Sequence, residues 1–294
     1  MKNIIMLFYQ NIRFKPSIMN KLLFILLPIF LLSQENGWQH IHNSREYSIS
    51  GVAAFKEGYL VVHDNKKKNQ PRVSYLDDEL VITQLIWPEP ALPYDLEAAV
   101  ALPGKLNRFI FMESTGKCYE VSVDQNDFRM DLLHTFTLPS VKSKMNLEGL
   151  TIFPSGQGLV FIYGDRGSDT RISTLFTAFF NPKNKSFFEL NQFVFDLPKP
   201  KKYKRNIADL TLKLDGSLWS AATSDPGNEG PFSTFIYELG QFNHSGTFIP
   251  THPNLLKPIM TFNGQKIEAM MFQKEALVLM TDNNNFGVSL KFMD

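Results

Sequence analysis

The chain reads as an all-β protein: a β-propeller of five blades, each of four antiparallel strands, with the ring closed by an N-terminal strand. Three observations lead there. Five short segments align on one pattern: Ile49-Ser50-Gly51-Val52-Ala53, Leu96-Glu97-Ala98-Ala99-Val100, Leu147-Glu148-Gly149-Leu150-Thr151, Ile207-Ala208-Asp209-Leu210-Thr211 and Ile267-Glu268-Ala269-Met270-Met271. Their starts lie 47, 51, 60 and 60 residues apart, a period that suits a four-stranded blade. The last repeat ends one strand short, and an unassigned strand-like run precedes the first.

The strands follow in order from alternating apolar residues, Val/Ile/Phe/Tyr enrichment and Gly/Asp/Asn/Pro breaks. Blade 1 takes 49–55, 59–63, 72–76 and 80–87, and blade 2 takes 96–102, 108–112, 118–123 and 130–138. Blade 3 takes 147–153, 159–163, 172–180 and 187–195. Blade 4 takes 207–214, 217–222 and 234–239, with a poorly marked fourth strand near Phe248 or Ile259. Blade 5 takes 267–273, 276–281 and 287–292, and the run 37–42 supplies its missing strand. Closure of this kind removes the exposed edges that a sheet protein must otherwise protect. Leu214-Asp215-Gly216 and Pro154-Ser155-Gly156 carry turn chemistry between first and second strands. Prolines gather after fourth strands, at Pro88, Pro90, Pro139, Pro198 and Pro200, where a missing N–H costs no ladder bond.

Composition sets the outer bounds. With 294 residues, 44% hydrophobic and 26 of them Phe, the chain can bury a sizeable core. A formal net charge of +1 gives no support for nucleic-acid binding. The single cysteine, Cys118, rules out an intrachain disulfide and sits in an apolar run as a small core residue.

Residues 22–32 are an apolar stretch of 11 behind Lys21. A membrane span needs about 20 residues, so residues 1–33 read as a secretory signal peptide and 34–294 as a single β-propeller domain, secreted or periplasmic. Met19-Asn20-Lys21 would be a natural start, which places residues 1–18 upstream of it. Leu31 and Ser33 at the cleavage positions leave an uncleaved anchor as the competing reading; after cleavage no membrane span remains.

In a propeller the start of each first strand and the end of each second strand emerge on one face. Both places are acidic here: Asp95, Glu97, Glu148, Asp209 and Glu268 at the starts, and Asp64, Glu113, Asp165, Asp225 and Asp282 at the ends. So many carboxylates at one mouth repel strongly unless a cation sits among them. Calcium, which takes six to eight oxygens, suits such a place. Asp and Asn after strands also serve as turn caps, which is the plainer reading of the strand-end residues. Glu inside an apolar strand start is harder to dismiss, because buried Glu is rarely unpaired; for Glu97, Glu148 and Glu268 metal or ligand contact stands against pairing with Arg or Lys. Arg166 and Arg171, which follow Asp165 in and just after the compact loop Gly164-Asp165-Arg166-Gly167-Ser168, are candidate contacts for an anionic ester; Lys201, Lys202, Lys204 and Arg205 precede Asp209 on the same face, and the lysine runs there and at 66–68 read as solvated loops. His40 and His42 lack further ligands in recognisable spacing.

At these residues the chain resembles the phytase-like, or esterase-like, β-propellers of bacteria, nearest to an uncharacterised bacterial propeller family of unknown function. The resemblance rests on Asp95-Leu96-Glu97-Ala98, Asn146-Leu147-Glu148-Gly149-Leu150, Tyr163-Gly164-Asp165-Arg166-Gly167, Asp215-Gly216-Ser217-Leu218, Lys266-Ile267-Glu268-Ala269 and Thr281-Asp282-Asn283. It implies calcium in or near the channel and, in some members, phosphoester hydrolysis. By position it nominates Glu97, Glu148, Asp209 and Glu268 as channel acids and Arg166 as an anion contact; with the strand-end acids Asp165 and Asp282 of the acidic mouth, these four are the expected metal ligands. The established alkaline phytases have six blades and denser acidic and lysine sites, a departure that separates this chain from phytate hydrolysis itself. Two functional expectations follow. One is a calcium-dependent phosphoesterase in which metal-bound water attacks and a channel acid among Glu97, Glu148 and Glu268 is the base. The other is a non-catalytic module binding a sugar, peptide or envelope component, in which the acids are paired off to Arg or Lys.

Overall fold

The computed structural model describes residues 37–294, and the signal-peptide and start-site expectations lie outside the described residues. Residues Gln39–Asp294 form one compact unit.

The unit opens with β1 (Gln39–His42), and blade 1 follows as β2 (Gly51–Phe55), β3 (Gly58–Val62), β4 (Val73–Leu76) and β5 (Ile82–Leu85). Blade 2 is β6 (Leu96–Ala101), β7 (Arg108–Glu113), β8 (Lys117–Val123) and β9 (Met130–Thr137). Blade 3 is β10 (Leu147–Ser155), β11 (Gly158–Asp165), β12 (Ser173–Asn181) and β13 (Ser186–Phe195). Blade 4 is β14 (Lys204–Leu212), β15 (Ser217–Ser224), β16 (Ser233–Phe242), β17 (Phe248–Pro250) and β18 (Met260–Asn263). Blade 5 is β19 (Ile267–Gln273), β20 (Ala276–Thr281) and β21 (Val288–Met293).

Each sheet runs in sequence order as an antiparallel meander, and β1 pairs with β21, so the N-terminal strand completes blade 5 as expected. The expected five-bladed propeller is the observed fold. The outer strand of blade 4 was hard to place because two short pieces share the role. β17 pairs with the Gly240–Phe242 end of β16, β18 pairs with Ser233–Ile236, and Pro253–Leu255 loops out between them.

Apolar faces meet between blades. Phe55, Leu60 and Val62 of blade 1 pack on Phe109, Phe111 and Tyr119 of blade 2. Equivalent clusters join blades 2 and 3, blades 3 and 4, and blades 5 and 1. Burying each such side chain contributes roughly 1.5–3 kcal/mol. The contact of blades 4 and 5 adds polar fastenings. The Thr234 hydroxyl accepts from the Ile267 N–H at 3.0 Å, and the Asp209 carboxylate accepts from the Met270 N–H.

Near the axis the first strands crowd, which explains the small residues of the repeated pattern. A Cβ on Gly51 would lie 2.5 Å from the Ala99 nitrogen, and one on Gly149 would lie 2.9 Å from the Leu210 nitrogen.

Candidate functional site

The three glutamates of the pattern share one local device. Register slips between Leu96 and Ala98, between Leu147 and Gly149, and between Ile267 and Ala269. Glu97, Glu148 and Glu268 are therefore each the extra residue of a β-bulge. A bulge releases its residue from the pleat and re-aims the side chain, which lets a carboxylate leave an otherwise apolar strand. Blade 4 breaks the pattern by one position. Its irregularity spans Arg205 to Asp209, and the Asp209 carboxylate accepts backbone N–H bonds from Leu210 and from Met270 of the next blade. Asp209 is thus spent on an inter-blade contact.

The strand-end acids split in the same way. Glu113 accepts from the Tyr94 N–H at 2.9 Å, Asp165 from the Asn146 N–H at 3.0 Å, and Asn283 from the Lys266 N–H at 2.7 Å. In each case the end of a second strand clasps the entry to the first strand of its own blade, which is the turn-cap role. Asp165 also holds Arg171 in an ion pair, so Arg171 braces this clasp.

What remains at the mouth is a cavity of about 300 Å³, walled by Asp64, Asp95, Glu97, Asp225 and Glu268 together with five cationic side chains. Two of these cations come from blade 4 and blade 5. Arg205 bridges Glu148 at 3.1 Å, Glu268 at 2.9 Å and Asp225. Lys266, itself 3% exposed, reaches Glu268 at 3.0 Å and Asp282 at 2.8 Å. Arg166 adds a second guanidinium on Glu148. Glu148 therefore sits under two arginines, while its Oε2 is buried without a partner. The loop Gly227-Asn228 borders the rim, and Arg45 donates to the Asn228 Oδ1 at 2.9 Å.

Glu97 stands apart. It is 9% exposed, lines the cavity, and makes no hydrogen bond or ion pair with any described residue. Burial, then the charges of Glu148, Asp95, Asp64 and Glu268, push its carboxyl well above the usual range. Burial also pushes Glu268 up to about 8, against the pull of Lys266 and Arg205. Asp225 and Asp282 go the other way: burial raises each, and the neighbouring cations outweigh it and hold both below the ordinary value. One carboxyl pushed toward its protonated form thus lies in the same cavity as another that titrates near neutrality, while Asp225 and Asp282 are held toward the carboxylate form by the cations.

The set does not fit calcium as it stands. Of the six nominated ligands, Glu148, Glu268, Asp165 and Asp282 are engaged by Arg or Lys, and Asp209 by backbone N–H groups. Among the described residues no three His, Cys, Asp or Glu side chains are grouped to hold a metal ion. The lysine and arginine charges offset the repulsion among the acids they touch.

The sequence nominated Glu97, Glu148, Glu268 and Arg166, which the structure brings together at or beside the mouth, and offered Arg205 among the basic residues of that face, but it gave Lys266 no role. Lys266 was the available signal: a lysine abutting an apolar strand, two residues before a glutamate, is rarely buried unless it is paired.

No protein-family model matches the chain, and no curated protein does. Among solved structures, one described as a glycoside hydrolase superposes with a TM-score of 0.52 at 12% identity, over 86% of this chain and 62% of that one. A β-1,2-mannobiose phosphorylase from Listeria innocua superposes with a TM-score of 0.49 at 9% identity, over 89% and 92%. The first likeness is one of fold: the chain is a β-propeller.

Proposed function

We propose that the chain is a hydrolase whose reaction centre is the charge-lined mouth, with Glu97 as general acid and Glu268 as general base, acting on a small hydroxyl-rich substrate of the glycoside type. The observation that carries this reading is the unpartnered, buried carboxyl of Glu97 in a cavity where the other acids are held. A pair of carboxyl groups whose surroundings set them to different protonation states is the usual equipment for cleaving a glycosidic C–O bond. The Glu97 carboxyl gives its proton to the bridging oxygen as the C–O bond breaks. Water attacks the anomeric carbon, and Glu268 takes the water's proton as the new C–O bond forms. The products are two hydroxyl compounds. Proton exchange with solvent restores Glu97 to its acid form and Glu268 to its carboxylate. Glu148, fixed by Arg166 and Arg205, positions the guanidiniums and keeps negative charge behind Glu97.

A sugar-type substrate fits better than the phosphate ester that the phytase-like resemblance suggests. A phosphate dianion beside Glu97 would face Asp64, Asp95 and Glu148. That a propeller of this fold is described as a glycoside hydrolase accords with the reading and lends it the fold alone. The pairing of Glu148, Asp225, Glu268 and Asp282 to Arg and Lys favours a second reading, a binding module for the same ligands without turnover.

The test is a panel of chromogenic aryl glycosides and aryl phosphates with the wild type, Glu97→Gln and Glu268→Gln. Hydrolysis of a glycoside class that each substitution lowers by about 10²-fold or more supports the assignment. Turnover of phosphates alone, or glycoside turnover that survives Glu97→Gln, overturns it. Glycoside binding with no turnover selects the second reading.

A further inference from the structure

The two sides of the mouth are charged differently. On the side of blades 3 to 5, Arg166, Arg205 and Lys266 answer the acids from fixed positions. On the side of blades 1 and 2 stand Asp64, Asp95 and Glu97, and the cation in contact with them is Lys66. Lys66 differs in kind from Lys266. Its side chain is 51% exposed on a loop, and it touches the acids only through Asp95, at 2.9 Å.

We propose that this side is an ammonium subsite: the substrate or ligand carries a protonated amine that displaces Lys66 and settles against Asp64 and Asp95, beside the Glu97 carboxyl. The inference rests on the mouth being the ligand pocket. Both aspartates are held ready. The Ser48 hydroxyl donates to the Asp64 Oδ1 at 3.0 Å, and the Ser114 hydroxyl donates to the Asp95 Oδ2 at 2.7 Å. Each serine fixes one oxygen and leaves the other for a cation. Glu97, nine-tenths buried and without a partner, is aimed into the same space. The half-exposed ring of Tyr94 lies 5.7 Å from the Lys66 Nζ, a distance at which an aromatic face attracts an ammonium group. The Lys66 ammonium is thus the chain's own stand-in for the ligand, held by contacts that a better-placed amine can take over.

A monovalent cation suits this arc because it replaces Lys66 charge for charge. The ligand class is therefore a hydroxyl-rich amine, such as an amino sugar bearing a free ammonium group.

The test uses the full chain and three matched probes, glucosamine, N-acetylglucosamine and glucose, with methylammonium chloride as a fourth and sodium chloride as its ionic-strength control. Binding is read by calorimetry and thermal shift in the wild type, Lys66→Gln and Asp64→Asn. Glucosamine is expected to bind about tenfold more tightly than glucose, since its extra contact is a charge-assisted one. Lys66→Gln should strengthen glucosamine binding several-fold and leave glucose unchanged, and Asp64→Asn should remove the preference. Equal binding of glucose and glucosamine, or a preference that neither substitution moves, overturns the inference and leaves the hydrolase reading standing. Protection by methylammonium but by none of the sugars, again sensitive to Asp64→Asn, upholds the ammonium subsite and sinks the sugar reading instead. No response to any amine overturns it outright.

Discussion

The two sides of the propeller mouth put similar acids to opposite uses. Around Arg205 and Lys266, carboxylates from blades 3, 4 and 5 are locked into one network, and the cations there are themselves largely buried. Around Glu97 the acids are fixed by serines or by nothing, and among the described residues the cation in contact is a rim lysine. A buried carboxylate whose partner is also buried contributes shape. A buried carboxyl without a partner is a stored capacity, because its protonation state changes with whatever enters. On the proposed reading, Glu97 serves chemistry and Arg205 serves architecture.

Removing each side's key residue should break the comparison in opposite ways. Glu97→Gln should leave the melting temperature unchanged or raise it, since a costly buried acid becomes a neutral amide, while turnover drops by about 10²–10⁴-fold. A parallel loss of stability would mean that Glu97 is architectural. Arg205→Met should do the reverse and destabilise the fold by about 3–5 kcal/mol, because Glu148, Asp225 and Glu268 lose a shared partner inside a largely buried network. Denaturant unfolding reads that change directly, and a loss below about 1 kcal/mol would dissolve the distinction between the two sides.

Proton linkage supplies a subtler contrast. Glu268 is pushed from 4.5 up to about 8 on folding, so the folded chain holds more protons than the unfolded one between those values. Stability from this group is complete below 4.5 and is lost as pH rises through 8. His63, buried and hydrogen-bonded between the Ser48 carbonyl and the Ser74 hydroxyl, is lowered by burial from 6.5 to about 4. Its contribution has the opposite sign and is lost as pH falls from 6.5 toward 4. Between pH 6.5 and 8 the histidine is silent, so the melting temperature should decline across that interval. Glu268→Gln should flatten the decline, and a slope that the substitution leaves intact assigns it elsewhere. Over the same interval activity should rise, as Glu268 loses its proton and becomes a base.

The smallest effect belongs to the outer surface. Lys204 pairs with Asp196, whose side chain is 67% exposed, and Lys204→Gln should change stability by less than about 0.5 kcal/mol. A larger change would extend the charged network beyond the mouth.

Much of the fold was legible in the repeat. A period near 50–60 residues, a missing last strand and a spare first one were enough to close the ring. The fourth strand of blade 4 was not, because β17 and β18 are each too short to show alternation and prolines lie between them. Glu97, Glu148 and Glu268 could be found because each is a charged residue followed by a small one in an apolar run. Their different fates could not. Whether a neighbouring Lys or Arg turns into the channel depends on bulges, and a bulge leaves no mark in residue type. The same is true of Asp209, which one position of slippage carries from the axis to the backbone of the next blade.

The central claim is that Glu97, buried and unpartnered among other acids of the mouth, holds a proton at neutral pH. Infrared difference spectroscopy between the wild type and Glu97→Gln at pH 7 tests it most directly. The account predicts a carboxylic-acid carbonyl band that the substitution removes and that an added amine ligand shifts. A carboxylate band in its place, with no acid band lost, would contradict it.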